Sequence, residues 1–381
     1  MTAVLDFLLV WSILVIVRLL PIRFRLLPGH IGHLALNTEV WLRRRAAGNN
    51  GRREFYVLFG IQPANRQILT MVGRRMPVWE GRWPTRILQA LMRLDPKICP
   101  KIPGGHGLRS WEVMDRIGPQ LYFTKDEKRR GETLLKAMGI RAGGAFVCFF
   151  ARDSAYQDAV RPFASSEGWT YNDFRNSSIE NYLPAAEMLA DQGIWVVRMG
   201  AVVQKSIQSR HPKVIDYATG YRSDFGDVYL MAHCKFFLGD TSGTFTLASI
   251  FDVPCALANF APLHAHGVLG RRDLFIPKKY RHAAQDRFMR FSEILAVEAD
   301  DWHPAGRYRA AGISVVENSS DEVLELAAEM NARLDGRWVA GGEDGTLQDC
   351  YRALFSPGQP VSGFTSRVGA GFLRQNKALL A

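Results

Sequence analysis

The chain has 381 residues, 47% of them hydrophobic and 22% charged, which is typical of a folded protein with room for two domains. Its five cysteines, odd in number and without a C-x-x-C pair, argue against a disulfide framework and a zinc–thiolate site. The formal net charge of +11 is concentrated: residues 1–135 hold 22 Lys and Arg against 10 Asp and Glu, and the remainder holds 26 against 27. A basic first third predicts an anionic partner: a membrane surface, a nucleic acid or a polyanionic substrate.

The first 21 residues predict an apolar, membrane-associating helix. Within the segment VLDFLLVWSILVIVRLL, Asp6 and Arg18 leave 11 uncharged residues between them. A spanning helix needs about 20. The arginines that follow, Arg23 and Arg25 among them, favour a helix in the inner leaflet, with the chain on the cytoplasmic face of the inner membrane as a peripheral or monotopic protein. The alternative is a buried first helix of the globular domain.

Residues 22–140 have the pattern of an α/β domain. The spacing of apolar residues predicts strands at 22–29 and 53–60 and helices at 30–47, 64–75 and 85–94. This alternation of strands and helices predicts a parallel sheet covered by helices.

A second α/β domain is predicted over residues 141–340. Its strands are expected at 145–151, 193–200, 213–217, 235–240 and 254–259, and helices are expected at 178–193, 224–234 and 319–334. Continuous apolar runs indicate strands buried on both faces of a sheet. Residues 341–381 are expected to form helices that return toward the first domain. The prediction is therefore two doubly wound, Rossmann-like domains with a cleft between them.

The turn at residues 240–244 interrupts two apolar runs with small and polar residues. In doubly wound sheets, ligands bind beyond the carboxyl ends of the strands, where loops lead into helices. Asp240, Thr241, Ser242, Gly243 and Thr244 would there offer hydroxyl and backbone donors to an anion, most often a phosphate. The alternative is that Asp240 or Ser242 only caps the following helix.

Two arginines are predicted at the same edge of this sheet. Arg152 and Asp153 follow the strand at 145–151, and Arg175 and Asn176 precede the next helix. Guanidinium groups bind two phosphate oxygens together and would neutralise a departing diphosphate. Each arginine could instead form an ion pair with Asp153 or Asp173.

Long motifs give this chain a resemblance to a known family. The stretches LPGHIGHLALNTEVWL, FARDSAY, YNDFRNSSIENYLPAAEMLADQGIWVVRMG and FGDVYLMAHCKFFLGDTSGTFTLASIFDVPCALANF together resemble bacterial surface-polysaccharide glycosyltransferases of the GT-B type, distantly similar to the fucosyltransferase-like branch. The resemblance covers roughly residues 20–335. It implies that Arg152 and the turn at 241–243 contact the diphosphate of a nucleotide sugar. Phe150 stands where the fucosyltransferase pattern has His, so guanine recognition is not implied.

The resemblance also places an acceptor-side loop in the first domain. Gly29, His30, Gly32 and His33 lie in the glycine-rich segment PGHIGHLALN, the form used near acceptors in GT-B enzymes. A neutral imidazole, that of His30 in the first place, could accept the proton of an acceptor hydroxyl. The alternative is that these histidines cap or pack against the helix that follows.

His264 and His266 follow the strand at 254–259 and could line the nucleotide pocket. They have no third ligand in the sequence, so no metal site is expected.

The sequence thus predicts a metal-independent glycosyltransferase that moves a hexosyl or deoxyhexosyl group. The donor would be a nucleotide diphosphate sugar, which is a substrate, and no cofactor is expected. The acceptor would be a lipid-linked glycan or another surface-glycan precursor, and an anionic membrane surface would be a further partner. Nucleic acid is not expected as a partner, because no recognisable binding motif accompanies the basic residues. The alternatives are a nucleotide-sugar epimerase and a non-catalytic polyanion-binding protein.

Overall fold

The computed structural model describes residues 11–13, 15, 16, 19, 22–48, 55–60, 63–104, 110–160, 170–263, 269–299, 302, 305–356 and 363–380. Their strands form two parallel sheets and one small antiparallel sheet. Helices alternate with the strands of both parallel sheets, so the predicted α/β class is confirmed.

The first sheet belongs to residues 22–140, which we call the first unit. Its three parallel strands, β1 (Ile22–Leu26), β2 (Phe55–Gly60) and β3 (Val78–Glu80), lie side by side in chain order. A doubly wound sheet requires the strand order to reverse. Lys101 forms an isolated parallel bridge with Leu26 on the side of β1 opposite β2, so the chain reverses its direction of winding at β1. The helices are α1 (Thr38–Ala47), continuous with the π-helical turn His33–Asn37, then α2 (Arg66–Gly73), α3 (Arg82–Leu94), α4 (Ser110–Arg116) and α5 (Lys125–Ala137).

The second sheet has seven parallel strands and belongs to the second unit, residues 141–380. The strands are β4 (Phe146–Phe149), β5 (Trp195–Arg198), β6 (Val214–Asp216), β7 (Phe237–Gly239), β8 (Cys255–Phe260), β9 (Leu274–Pro277) and β13 (Arg367–Val368). Their order is β13-β9-β8-β7-β4-β5-β6, so the direction of winding reverses between β4 and β7. The doubly wound prediction is confirmed for this unit.

Short helices connect these strands. They are α6 (Ala155–Val160), the 3₁₀ turns Thr170–Arg175 and Ile179–Tyr182, α7 (Leu183–Asp191), α8 (Tyr217–Gly220), α9 (Asp224–His233) and α10 (Phe245–Ser249). The residues of β4, β7 and β8 are all buried, as expected for strands covered on both faces.

A small antiparallel sheet follows β9 directly. It consists of β10 (Lys279–His282), β11 (Arg287–Phe288) and β12 (Ile313–Val316), in the order β11-β10-β12. Lys278 is the single residue between β9 and β10. The helices here are α11 (Phe291–Ala296), α12 (Ala305–Ala310) and α13 (Ser320–Leu334), and α13 begins with a capping box of Ser319 and Glu322.

The carboxyl-terminal segment belongs to the second unit, unlike the prediction that residues 341–381 return to the first domain. Its strand β13 forms the edge of the second sheet beside β9. The helix α15 (Ala370–Gln375) packs against both α14 (Asp344–Ala353) and α13. Burial explains the difference, because the rings of Tyr351 and Phe364 pack with Phe275 of β9, and the ring of Phe355 packs on both of them. This segment therefore completes the core of the second unit.

The two units share one hydrophobic core. Leu34 and Ile68 of the first unit belong to the same buried cluster as Phe237 and Ile250 of the second. The fully buried side chain of Arg43 in α1 crosses between the units. It donates hydrogen bonds of 2.7–2.9 Å to oxygens of Glu39, Met114, Ile117, Ile250 and Asp252.

A cavity of about 630 Å³ lies between the units. Trp111 and Asp115 of α4 line one side, and Asp252 and Asp273, which precede β8 and β9, line the other. This cavity is therefore at the amino-terminal edge of the second sheet. The predicted site residues follow their strands and lie at the opposite, carboxyl-terminal edge.

The predicted membrane-associating helix of residues 1–21 falls largely outside the described residues. Positions 11–13, 15, 16 and 19 are helical. Within the described part of the chain, we find no helix whose length and apolar character would allow it to cross a bilayer. Association of this segment with a membrane surface stays a prediction.

Candidate functional site

The candidate site lies where the second sheet reverses its winding. Strands β4 and β7 are neighbours there, and the chain leaves them at Arg152 and at Asp240. In open α/β sheets, ligands bind in the crevice that opens at this reversal, outside the carboxyl ends of the strands. The arginine and the turn that the sequence placed at one edge are thus adjacent, as predicted.

Asp240 is fully buried and joins the segments of the site. Its Oδ2 accepts hydrogen bonds from the backbone N–H of Arg152 and, at 2.9 Å, from Oγ of Ser177. Burial raises the pKa of this carboxyl group above its ordinary value, although these bonds and the charges of Arg152 and Arg175 oppose the rise. Asp240 therefore positions the residues around it and has no exposed surface for a ligand.

Arg152 and Arg175 place two guanidinium groups beside this carboxylate. Arg152 donates to the carbonyl oxygen of Asn172 at 3.1 Å and to the side chain of Asn176, and Arg175 donates to the carbonyl oxygen of Thr241. Burial, and then the charge of Arg152, lowers the pKa of Arg175 to about 10. Two like charges held this close favour an anionic ligand between them.

Lys278 is a third cation at this site, and the sequence analysis missed it. It is 2% exposed and follows β9, and its Nζ donates at 2.6 Å to the carbonyl oxygen of Asn176. Burial lowers the pKa of Lys278 to about 8, with Glu317 and Asp240 acting in the opposite direction. The only signal in the sequence is a lysine directly after an apolar strand. This pattern does not distinguish a buried lysine from an exposed one.

Three buried polar atoms in this region have no hydrogen-bond partner among the described residues. They are Oδ1 of Asp240, Oδ1 of Asn172 and Nε of Arg175. Buried polar groups are nearly always paired, so each lone atom calls for an explanation. All three atoms are shielded from solvent, so a ligand would reach them only if the site opened.

The turn at 240–244 differs from the prediction in how its side chains are used. The hydroxyl group of Thr241 donates to the carbonyl oxygen of Ala261 at 2.9 Å, and Oγ of Ser242 accepts from the backbone N–H of Thr244. Both side chains are buried. The helix that follows, α10, has five residues. The turn instead holds Arg175 through its Thr241 carbonyl and exposes backbone at Gly243.

Asp153 and Asn176 also have structural partners. Asp153 accepts hydrogen bonds from the backbone N–H groups of Ala155 and Gln204, at 3.0 and 3.1 Å, so it begins α6 and fixes a loop. Donor binding by Asp153 stays a prediction. Asn176 holds Arg152 by its side chain and Lys278 by its carbonyl group. Asn176 is thus a positioning residue in this arrangement.

The predicted acceptor-side loop reaches the same site from the first unit. A Cβ atom placed on Gly32 would lie 2.8 Å from the Cα of Gly243, so only glycine allows these two backbones to meet. His30 and Gly29 are exposed at the tip of the loop. Burial lowers the pKa of His33, and the charges of His30 and Arg175 lower it further. A neutral imidazole is therefore favoured at His33, beside the arginines.

His264 and His266 lie outside the described residues, and so their predicted place in the nucleotide pocket stays a prediction. Among the residues that the structure does describe, no group of three or more His, Cys, Asp and Glu side chains could hold a metal ion.

No known family profile matches the chain, and no curated protein sequence does so significantly. Among solved structures, the chain is similar to the ADP-heptose LPS heptosyltransferase II of E. coli, with a TM-score of 0.40 and 11% identity over 67% of this chain and 89% of that one. It is also similar to a glycosyl transferase family 9 protein from Veillonella parvula, with a TM-score of 0.42 and 11% identity over 82% and 97% of the two chains. Likeness at this level carries no argument about activity, and the link to the fucosyltransferase-like branch stays a prediction. What this chain does has to be inferred from its own site.

Proposed function

We propose that the protein transfers a glycosyl group from a nucleoside diphosphate sugar to a hydroxyl acceptor. The observation that carries this proposal is the convergence of Arg152, Arg175 and Lys278 at the reversal of the second sheet, in contact with a histidine-bearing loop of the first unit. Three cations suit a diphosphate, because guanidinium and ammonium groups form charge-assisted hydrogen bonds with phosphate oxygens.

In this reaction the bond between the anomeric carbon and the β-phosphate oxygen breaks, and its electron pair leaves with the diphosphate. The acceptor oxygen forms the new bond to that carbon. Arg152, Arg175 and Lys278 would stabilise the charge that develops on the leaving group. The proton of the acceptor hydroxyl would pass to the imidazole pair of His30 and His33, with the neutral form favoured at His33.

The three cations supply the charge that a metal ion would otherwise provide, and we therefore propose that transfer needs no metal.

The basic first third of the chain supports a lipid-linked or surface-glycan acceptor. A place on the cytoplasmic face of the inner membrane belongs to the same proposal. The transferred group would be hexosyl or deoxyhexosyl.

Thermal stability in the presence of candidate donors tests the donor site. UDP-, GDP- and ADP-sugars are compared with a CMP-sugar, which lacks the second phosphate. A donor at about 100 times its Kd should stabilise the protein by about 2.7 kcal/mol. Stabilisation by at least one diphosphate sugar and none by the CMP-sugar is expected, and no shift with any diphosphate sugar would contradict the proposal.

Turnover separates transfer from the epimerase alternative. The stabilising donor is incubated with and without a lipid-linked glycan acceptor, in the presence and absence of EDTA. We expect release of the nucleoside diphosphate that depends on acceptor and is unaffected by EDTA. An isomerised sugar nucleotide formed without acceptor would favour the epimerase.

A further inference from the structure

One face of the first unit exposes tryptophan and arginine side chains together. We call it the α3 face and define it as Trp79 at the end of β3 with the exposed side of α3. Trp83 is 69% exposed, Leu94 43% and Trp79 40%. Large apolar side chains with this much exposure, grouped on one face, usually mark an interaction site.

The same face has an excess of positive charge. Arg82, Arg86 and Arg93 are exposed and lie four and seven residues apart, which puts them on one side of the helix. Among the described residues, none of the three pairs with a carboxylate, and the guanidinium group of Arg86 lies over the ring of Trp83 at 5.5 Å. The opposite side of α3 is buried through Leu88 and Leu91.

The amino-terminal helical residues extend this face. Ile13 packs against the small cluster beneath α3 that contains Leu88. Trp11, Ile16 and Leu19 remain 52%, 48% and 78% exposed. Exposed apolar and aromatic side chains are therefore also present on the helical segment that packs beside α3.

The α3 face also begins next to the candidate site. Leu26 of β1 and Trp79 of β3 are both paired with Phe59 of β2, so they lie at the same level of the first sheet, about 10 Å apart. The loop that carries His33 leaves the sheet just after Leu26. A surface bound at the α3 face would thus lie near the acceptor side of the site.

We propose that the α3 face docks on the surface of an anionic phospholipid bilayer. Tryptophan rings lie preferentially at the level of lipid headgroups, and arginines near an anionic surface attract it. Charge complementarity selects this occupant over an uncharged apolar partner. The proposed docking is argued from these residues and does not depend on the proposed function. The idea that docking brings a lipid-linked acceptor to the site does rest on the proposed function.

Co-sedimentation of the full chain with vesicles tests the proposal. Vesicles of 30% phosphatidylglycerol in phosphatidylcholine are compared with pure phosphatidylcholine. The variant Arg82→Gln/Arg86→Gln/Arg93→Gln should bind the anionic vesicles about 100-fold more weakly, at about fivefold for each arginine. The variant Arg141→Gln/Arg210→Gln/Arg309→Gln removes the same charge from exposed positions of the second unit and should bind as the unchanged protein does.

The proposal is overturned if the first variant keeps its affinity, if both variants lose it equally, or if the unchanged protein binds neutral vesicles as tightly as anionic ones. Stronger binding to DNA than to anionic vesicles would overturn it as well. Trp83→Ala, which keeps the charge, should also weaken vesicle binding. The thermal shift produced by a nucleotide sugar is measured on every variant, so that a failure of the donor site is seen separately from a failure of docking.

Discussion

At the scale of single residues, both the backbone and the side chain of Arg152 are fixed by hydrogen bonds. Its backbone N–H is bonded to Asp240, its carbonyl group accepts from the backbone of Ser177, and its guanidinium group is bonded to Asn176. Such fixed donors stabilise charge without needing to reorganise when the reaction occurs. The direction of this side chain is therefore set before a ligand arrives.

Replacing Arg152 tests that assignment. Arg152→Ala should lower kcat by about 100- to 1000-fold, because one preorganised donor to the leaving group is lost. Arg152→Lys keeps the charge, and its kcat should lie between those of the unchanged protein and of Arg152→Ala. Steady-state turnover is measured beside the melting temperature, with Arg141→Ala, an exposed arginine, as the control. Full turnover in Arg152→Ala would remove this residue from the proposed site.

Lys278 predicts how donor binding depends on pH. With a pKa of about 8, the ammonium group is present below that pH and is lost above it. About 90% of Lys278 is charged at pH 7 and about 10% at pH 9, so the Kd for the donor should rise about tenfold over this range. Calorimetric titration at several pH values measures the change.

Lys278→Gln should bind more weakly at pH 7 and lose this pH dependence. The exposed Lys136→Gln is the control and should retain it. An unchanged slope in Lys278→Gln would show that another group titrates.

Which individual residues could be predicted depended on whether a local pattern revealed their role. Arg152 follows a clearly apolar strand and was found from that position. Asp153 shares the position, but its carboxylate is used by the backbone N–H groups of Ala155 and Gln204, and sequence spacing does not show such partners. Lys278 was missed because its burial depends on Asn176, which lies about 100 residues away in the chain.

At the scale of elements, the contact between the His33 loop and the turn at Gly243 joins the two halves of the site. Gly32→Ala would place a methyl group 2.8 Å from the Cα of Gly243. We expect a loss of stability of about 1–3 kcal/mol, as for overpacking elsewhere, and a larger loss of turnover than of donor binding. Urea unfolding and donor titration measure the two effects.

Gly73→Ala is the matched control, because a Cβ there meets nothing within 4 Å. Its stability should be unchanged or slightly higher. Equal behaviour of the two variants would mean that the loops can separate without consequence.

Strands with continuous apolar runs were predicted well, since each is buried on both faces. All five strands predicted for the second unit are present, from β4 (Phe146–Phe149) to β8 (Cys255–Phe260). The three-residue β3 and the two-residue β13 are too short to show a pattern. The order of the strands depends on contacts between distant segments and has no local signature. The reversal between β4 and β7 could therefore be expected only by analogy with doubly wound folds.

At the scale of the whole molecule, the two units behave as one body because they share a core and the side chain of Arg43. Arg43→Met would leave the carboxylates of the buried Glu39 and of Asp252 without their cationic partner, and Glu39 would keep only the hydrogen bonds from the backbone of Gln120 and Leu121. We expect a loss of about 3–5 kcal/mol, with unfolding still in a single transition. Thermal and urea unfolding, followed by fluorescence and circular dichroism, measure the loss of stability and the number of unfolding transitions.

The neighbouring Arg44 is exposed, and Arg44→Met should change stability by less than about 0.5 kcal/mol. Two separate unfolding transitions, with only one of them sensitive to Arg43→Met, would contradict the single-body description.

The sequence predicted two α/β units, and the structure has two parallel sheets covered by helices. The site predicted at the edge of the second sheet stays a prediction. The sequence did not predict the shared core, because the pairing of Arg43 with Asp252 spans 209 positions. Nor did it place the carboxyl-terminal segment correctly, since helical spacing in α14 and α15 indicates a buried face but not the partner that covers it.

The direct contact of Gly32 with Gly243 affects how substrates enter. Many two-domain enzymes swing open at a hinge to admit a substrate and close to assemble their catalytic groups. In this protein the loop that carries His33 already touches the turn at Gly243, and a common core resists such swinging. A substrate would then enter through movement of the side chains and loops that rim the opening. The rate of turnover should depend on the mobility of those loops more than on any rotation of one unit against the other.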